Sequence, residues 1–472
     1  MEEVELAHRD ITPLAELVGA DRWSHVQQFW NAARDKLSGQ TIWHVNATAT
    51  GGGVAEMLLA LLPLWRTTGI ETRWLVLHGE PTFFGTTKRL HNLLHGSPGD
   101  GGEMGEAERE NYEQVLAGNL DHLRTLVQPG DLVVLHDPQT AGLIEGVKAL
   151  GAHVIWRSHI GRDDANRHTE KGWAFLAPYL EHADRVVVSR LLYAPPSVPL
   201  DKLAVITPCI DPFTAKNMDI PADVVEKVLV QAGLLEGERN TDVEFPRRDG
   251  STGKVRALDN AVSEGGPLPR DARAIVQVSR WDRLKDMAGV MKGFLDNVTD
   301  PDAHLVLCGP AVDGVSDDPE GAEVLAECRA IFNALDDAAK ARVHLFSIPM
   351  DDTDENAYII NALQRHAYAV VQKSLFEGFG LTVTEAMWKS RPVIASAVGG
   401  IQNQIAHGID GWLLPDPTDL NSLGAEINVL LADEGVAHRL GLAAREKVLR
   451  RFLGDGSMYA YAQLMQNMLS DR

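Results

Sequence analysis

The stretch Ala369-Val-Val-Gln372-Lys-Ser-Leu-Phe-Glu377-Gly-Phe-Gly380-Leu-Thr-Val-Thr-Glu385-Ala-Met387 decides how the chain is read. A short β-rich run, Ala369–Gln372, leads into a turn holding two glycines, and small and apolar residues then open a helix. The same strand–turn–helix grammar recurs on both sides. In the first half, β-rich runs fall at Thr41–Asn46, Trp74–Leu77, Leu132–Leu135, His153–Trp156, Arg185–Ser189 and Leu203–Ile206. In the second half they fall at Ala274–Ser279, His304–Cys308, Val343–Phe346, Ala369–Gln372, Pro392–Ala395 and Gly411–Leu414. Helix-period segments lie between most of them, among them the face Leu58, Leu61, Leu62 and Trp65, and the stretches Glu106–Val127, Gly321–Ala339 and Leu420–Ala432. This alternation predicts parallel sheets covered on both faces, and about six strands per half predict two doubly wound α/β domains rather than one large sheet. Ligands of such sheets bind at the carboxyl ends of the strands, so chemistry is expected just after each strand.

A length of 472 residues suits two or three domains. The expected division is a first Rossmann-like domain over 1–213, opening with a helical extension over 1–40 anchored by Trp23, Phe29 and Trp30. A second Rossmann-like domain runs over 214–454, and a terminal helix over 455–472 could cross back to the first domain. The polar, Pro/Gly-rich stretch 233–273 reads as an insertion or long loop near the start of the second domain. Lys plus Arg number 44 against 66 Asp plus Glu, a net charge of −22. That balance argues against broad, salt-driven binding of nucleic acid but leaves room for a local basic cleft. Cys209, Cys308 and Cys328 are odd in number and form no Cys-x-x-Cys pair, as expected of reduced thiols in a cytoplasmic protein. The acidic start Met1–Glu5 lacks the features of a signal peptide, and the apolar run Met57–Trp65 is too short to span a bilayer.

Four strand ends carry the candidate chemistry. Asn46-Ala-Thr-Ala-Thr-Gly51-Gly52-Gly53 could let backbone N–H groups approach an anion at a helix N-terminus, or could be a tight turn alone; it is neither Gly-x-Gly-x-x-Gly nor a P-loop. Ser279-Arg280-Trp-Asp-Arg-Leu-Lys285-Asp286 places two cations after a strand, suited to a diphosphate or to a solvated loop. Glu377 and Glu385 are separated by a glycine turn and a helix start; Glu385 fits either a hydroxyl acceptor or a charge near a helix N-terminus. His136-Asp137 and Arg157-Ser158-His159 follow successive strands and suit sugar contacts, acid–base work or structural histidines. Asp352-Thr353-Asp354 has a spacing open to a divalent cation, though helix capping accounts for it equally well. No His/Cys cluster has zinc spacing, so no obligatory metal is expected.

At these residues the chain resembles the retaining nucleotide-sugar glycosyltransferases of the GT-B type, the family that includes sucrose and trehalose synthases. Their Glu-x7-Glu motif is matched by Glu377 and Glu385, their Arg and Lys by Arg280 and Lys285, and their phosphate-facing glycine loop by Gly51-Gly52-Gly53. The likeness is strongest to trehalose glycosyltransferring synthases and retaining trehalose phosphorylases. It is carried by Trp43-His-Val-Asn-Ala-Thr48, Phe83-Phe84 with Thr87-Lys88 and His91-Asn92, His136-Asp-Pro-Gln139, Trp156-Arg-Ser-His-Ile160 and Pro208-Cys-Ile-Asp-Pro212. The resemblance implies two Rossmann-like domains facing across a deep cleft, the first binding the acceptor and the second the donor. It implies that Arg280 and Lys285 neutralise the leaving diphosphate, that Glu377 contacts donor-sugar hydroxyls and that Glu385 holds the ribose. It further implies that Gly51, Gly52, Gly53, Gly378, Phe379, Gly380 and Leu381 line the donor, that His159 lies near donor sugar and acceptor, and that His136, Asp137 and Asn46 line the acceptor pocket. The implied activity moves glucose from a nucleotide-diphosphate sugar such as UDP-glucose or ADP-glucose to glucose or a related acceptor, with no cofactor beyond that co-substrate. The implied alternatives are a phosphorylase using inorganic phosphate and trehalose, and a non-catalytic sugar- or nucleotide-binding homologue. Homodimerisation is implied by analogy.

Overall fold

Leu132-Val-Val-Leu-His136 is buried at every residue, and so is His153-Val-Ile-Trp-Arg157. Runs without alternation are what strands covered on both faces require. The computed structural model describes residues 1–6, 10–49, 53–239, 242–312 and 319–470. The chain divides into two units, one formed by Met1–Cys209 with Phe452–Arg472 and the other by Ile210–Arg451.

The first unit holds, among its described residues, a seven-stranded sheet of β1 (Glu2–Val4), β2 (Thr41–Asn46), β3 (Glu71–Val76), β4 (Leu132–His136), β5 (His153–Arg157), β6 (Arg185–Val188) and β7 (Leu203–Val205). Their order is β1-β3-β2-β4-β5-β6-β7. All neighbours are parallel except β1, which runs antiparallel on β3. Trp43, Val45, Leu135, Val154 and Trp156 pack with Phe83, Tyr112 and Phe175 in one core. Leu58, Leu61 and Leu62 of helix Gly53–Arg66 pack with Trp74 and Cys209 in another. The helix Gly454–Ser470 lies on helix Ala20–Lys36, where buried Asp455 accepts from Arg22 at 2.8 Å and Phe29 meets Tyr459 at 4.6 Å between ring centroids.

The second unit holds the hairpin β8 (Glu244–Pro246) and β9 (Thr252–Lys254). Its described residues also form a seven-stranded sheet of β10 (Val262–Glu264), β11 (Arg273–Val278), β12 (Ala303–Pro310), β13 (Val343–Ile348), β14 (Ala369–Gln372), β15 (Val393–Ser396) and β16 (Trp412–Leu414). The order is β10-β13-β12-β11-β14-β15-β16, again parallel except for the edge strand β10.

Two features depart from the sequence reading. Each sheet carries one antiparallel edge strand, where parallel pairing throughout was expected. β1 and β10 are three residues each, too short to show a period, and only their pairing makes them strands. The 233–273 stretch is more than a polar loop. It contains the β8–β9 hairpin and β10, and it buries Val243, Phe245, Val255, Leu258, Ala261 and Leu268. Phe245 stacks on Tyr358 at 5.2 Å. Arg247, Arg248 and Arg256 pair with Asp352, Asp354 and Asp351, fastening the stretch to the start of helix Thr353–His366. Asp352 also caps that helix by accepting from the Glu355 N–H at 3.0 Å. The Asp-x-Asp pair is therefore engaged in capping and in arginine pairs. Among the described residues, no group of three or more His, Cys, Asp or Glu side chains is arranged to hold a metal ion.

Candidate active site

In the second unit, strand order reverses between the neighbours β11 and β14, whose residues Ile275 and Ala369 pair in register. Such a switch point opens a crevice where the two following loops diverge. Here those loops are Ser279–Asp286 and Lys373–Gly380, the segments singled out in the sequence. Gln277, fully buried, ties them together. Its amide donates to the Lys285 carbonyl at 2.8 Å, and the Leu375 N–H donates to the Leu284 carbonyl at 2.7 Å.

Lys285 Nζ reaches Glu377 Oε2 at 2.5 Å, and the Ser374 hydroxyl donates to the same oxygen at 3.2 Å. Arg280 is different: its side chain is 65% exposed, and its guanidinium meets Asp282 at 2.8 Å. Asp282 in turn caps the short turn Arg283–Lys285 by accepting from the Leu284 N–H at 2.8 Å. The structure thus joins Lys285 directly to Glu377, while Arg280 remains open to solvent on the same loop. Lys373, wholly buried, donates to Asp286 and, at 2.6 Å, to the Pro417 carbonyl.

The Glu-Gly-Phe-Gly turn has backbone reasons for its glycines. Gly380 sits at φ 82° before helix Leu381–Trp388, a conformation that side-chain-bearing residues rarely adopt. Gly400 donates to the Gly378 carbonyl at 3.1 Å, and a Cβ there would lie 2.7 Å from Phe379 Cα. Buried Gln404 donates to the carbonyls of Phe379 and Gly380 and accepts from Thr384. The turn is thereby fixed before any ligand arrives. Phe379 is buried and Leu381 partly so.

Glu385 is 3% exposed. Lys216 meets its Oε1 at 3.1 Å, whereas Oε2 has no hydrogen-bond partner. Buried Lys389 donates to Asn217 Oδ1 at 3.1 Å and to the Glu385 backbone carbonyl at 3.2 Å, and burial pulls its pKa down. A carboxylate oxygen removed from water without a donor is costly unless a ligand supplies one.

In the first unit, the order of the parallel strands reverses between β2 and β4. Asn46, at the end of β2, is occupied structurally: its Oδ1 accepts from Trp74 Nε1 at 2.8 Å and its Nδ2 donates to the Thr48 carbonyl at 2.7 Å. Gly51 and Gly52 lie outside the described residues; Gly53 opens helix Gly53–Arg66.

Asp137, just past β4, has φ 63° and ψ 176°, a region essentially reserved for glycine. Its surroundings hold it there. Its N–H donates to the Arg157 carbonyl at 2.8 Å, its carbonyl accepts from Trp156 Nε1 at 3.1 Å, and its Oδ1 accepts from the His159 N–H at 2.7 Å. Burial pushes the Asp137 carboxyl up to about 7 against the opposing pull of that N–H and of Arg157. His136 Nδ1 contacts His159 Nε2 at 3.0 Å, and His136 Nε2 contacts His44 Nδ1 at 3.0 Å. Burial lowers all three imidazoles, His44 to about 3. The structure therefore brings His136, Asp137 and His159 together, and Lys285 together with Glu377, in different units.

Sequence reasoning quoted Arg157 in the motif Arg157-Ser158-His159 but assigned no role to it, nor to His44, Gln277, Lys373 and Lys216. A polar residue inside an otherwise apolar strand marks His44, Arg157 and Gln277, and that signal was available. Lys373 adjoins the Glu377 motif with nothing to separate it from a surface lysine. Lys216 is remote in sequence and is recognised only by its contact with Glu385.

A family model described as trehalose synthase, N-terminal domain, matches residues 44–195, and one described as glycosyl transferases group 1 matches residues 261–447. A trehalose synthase of Pyrococcus horikoshii is 31% identical over 472 residues, covering 99% of this chain and 99% of that protein. A trehalose phosphorylase of Pleurotus pulmonarius is 27% identical, covering 97% of this chain but 61% of that protein. Among solved structures, a sucrose-phosphate synthase from Thermosynechococcus elongatus superposes with a TM-score of 0.63 at 18% identity, over 92% of this chain and 100% of that one. Two doubly wound domains and these matches define a glycosyltransferase of the GT-B class, a hexosyltransferase by its relatives. The chain belongs to the trehalose synthase family.

Proposed function

We propose that the enzyme transfers glucose, with retention of configuration, from a nucleoside-diphosphate glucose to glucose or a related acceptor, yielding an α,α-trehalose-type disaccharide. The observation that carries this reading is the convergence of the Arg280–Lys285 and Glu377–Gly380 loops at the switch point of the second sheet. A diphosphate leaving group gains negative charge as the glycosidic bond breaks. Cations aimed at that charge stabilise the transition state more than the ground state. Lys285, held by Glu377, supplies a placed point charge, and Arg280, exposed and paired with Asp282, supplies a planar fork suited to a phosphate. Glu377 then accepts from donor-sugar hydroxyls, and the unpartnered Oε2 of Glu385 accepts from the ribose.

In the first unit, His136, Asp137 and His159 form the acceptor side, with His159 nearest the reacting sugar. The acceptor hydroxyl attacks from the face the diphosphate leaves, and the leaving phosphate takes its proton. The reaction therefore needs no pair of carboxylates flanking the bond. The nucleoside-diphosphate sugar is the only co-substrate this scheme uses.

The test is incubation with glucose and UDP-, ADP- or GDP-glucose in parallel, without added metal, for wild type and Lys285→Ala. A non-reducing disaccharide with one equivalent of released nucleotide supports the reading. Loss of about 10²–10³ in kcat in the variant, with its melting temperature unchanged, supports the role of Lys285. Turnover of trehalose with phosphate and no use of nucleotide sugars would replace the synthase by a phosphorylase, and nucleotide binding without any turnover would replace it by a binding homologue.

A further inference from the structure

Each contact in the row His44–His136–His159 joins two ring nitrogens at 3.0 Å, with adjacent ring planes within 25° of parallel. A nitrogen–nitrogen hydrogen bond holds one proton, and a neutral imidazole carries one. Burial keeps all three rings neutral. These conditions leave the row two states. If His44 is protonated on Nδ1, it donates to His136 Nε2. His136 must then carry its proton on Nδ1 and donate to His159 Nε2, which leaves His159 protonated on Nδ1. If His44 is protonated on Nε2, every ring carries the proton on Nε2 instead. The tautomer at one end therefore dictates the tautomer at the other.

The choice is made at the free end. His44 Nε2 has no hydrogen-bond partner and lines a small cavity with Trp65, Arg157, Thr207, Ser457 and Tyr461. The other unpartnered buried nitrogens on that cavity wall are Trp65 Nε1 and Arg157 Nε and Nη1, all of them donors. Arg157 is 1% exposed, and its remaining nitrogen donates to Ser189 at 3.1 Å. A wall so rich in N–H groups and positive charge favours a bare lone pair on His44 over one more N–H. A water in the cavity that accepts from those donors would itself donate to that lone pair.

We infer that the three histidines form one coupled tautomer relay with every proton on Nδ1, and that His44 is a positioning residue making His159 a hydrogen-bond donor at Nδ1. This rests on the reading of His159 as a residue near the reacting sugar. The second unit holds an internal reference. His304 Nδ1 contacts His344 Nε2 at 3.0 Å, and His344 Nδ1 faces the Gly266 carbonyl at 3.0 Å. A carbonyl only accepts, so His344 is fixed with its proton on Nδ1, and that bond settles His304 the same way.

The test is ¹⁵N NMR of the whole protein labelled at histidine, with His44, His136, His159 and His344 assigned by single substitution. The relay requires Nδ1–H signatures for His44, His136 and His159, matching His344. A mixed set, or a set protonated on Nε2, overturns it. His44→Phe should shift the His159 ring nitrogens toward a mixture of tautomers and lower kcat at least about tenfold with KM changed less than about twofold; His44→Asn, which can restore a donor to His136, should recover most of both. Unchanged His159 signals in His44→Phe also overturn the relay. The NMR result stands apart from the reading of His159: full activity of His159→Ala would remove that reading while leaving the tautomer test to decide the relay.

Discussion

Asp137→Asn should stabilise the protein by an amount that depends on pH. Asp137 combines a backbone conformation reserved for glycine with a carboxyl pushed from 3.8 to about 7 by burial. A folded-state pKa above the unfolded one means the native state holds the proton more tightly. Stability is then lost as pH rises from about 4 to about 7 and is level above that. At about 1.36 kcal/mol per pKa unit, the ionised carboxyl would cost about 4 kcal/mol at pH 8 if it were wholly cut off from water; with its partial exposure, about 2 kcal/mol is the working figure. Asparagine keeps an oxygen for the His159 N–H and removes the charge. The advantage of the variant should therefore grow by about 1–3 kcal/mol between pH 5 and pH 8. Urea unfolding midpoints of both proteins, taken at the same pH values, measure this directly. The contributions of the neutral histidines, which run the opposite way with pH, cancel in the comparison. A difference that stays constant or shrinks as pH rises would refute the argument.

Gly400→Ala tests the Glu-Gly-Phe-Gly turn. The backbone at Gly400 is right-handed (φ −65°), so alanine fits the conformation, but its Cβ would lie 2.7 Å from Phe379 Cα and 2.9 Å from the Gly378 carbonyl oxygen, which forces the turn to move. We expect a stability loss of about 1–3 kcal/mol and a larger proportional loss in donor KM, read by steady-state kinetics; normal KM would mean the turn does not touch the donor. Lys373→Met takes the ammonium from Asp286, which keeps the Gly289 N–H as a donor, and from the Pro417 carbonyl; it should lower the urea midpoint by the equivalent of about 1–3 kcal/mol, whereas no change would show that the buried ammonium contributes nothing net.

Most of the fold could be read in the chain because parallel strands covered on both faces are uninterrupted apolar runs. Leu132–His136 and His153–Arg157 declare themselves in this way, and every predicted strand coincides with an observed one to within a few residues. The edge strands Glu2–Val4 and Val262–Glu264 were invisible because pairing, rather than composition, makes them strands. The insertion misled because its buried residues, Val243, Phe245 and Val255, are spaced among charges that turn out to be arginines paired with Asp351, Asp352 and Asp354. At the candidate site, the residues carried by short motifs were legible. Those acting by contact across the sheet were not: Gln277 bridges two loops, and Lys216 reaches Glu385 from 169 positions earlier.

The return of Phe452–Ser470 to the first unit has a consequence for biosynthesis. Tyr461 and Ser457 help wall the cavity beside His44, and Tyr461 meets Trp65 at 5.0 Å. The ribosome emits all of Ile210–Arg451 before those side chains exist, an interval on the order of 10–50 s at ordinary elongation rates. Throughout it, the face of Trp65 that Tyr461 covers and the face of helix Ala20–Lys36 that meets the closing helix wait uncovered, and by its end the second unit has every strand of its sheet. The half of the molecule translated first is thus the half finished last.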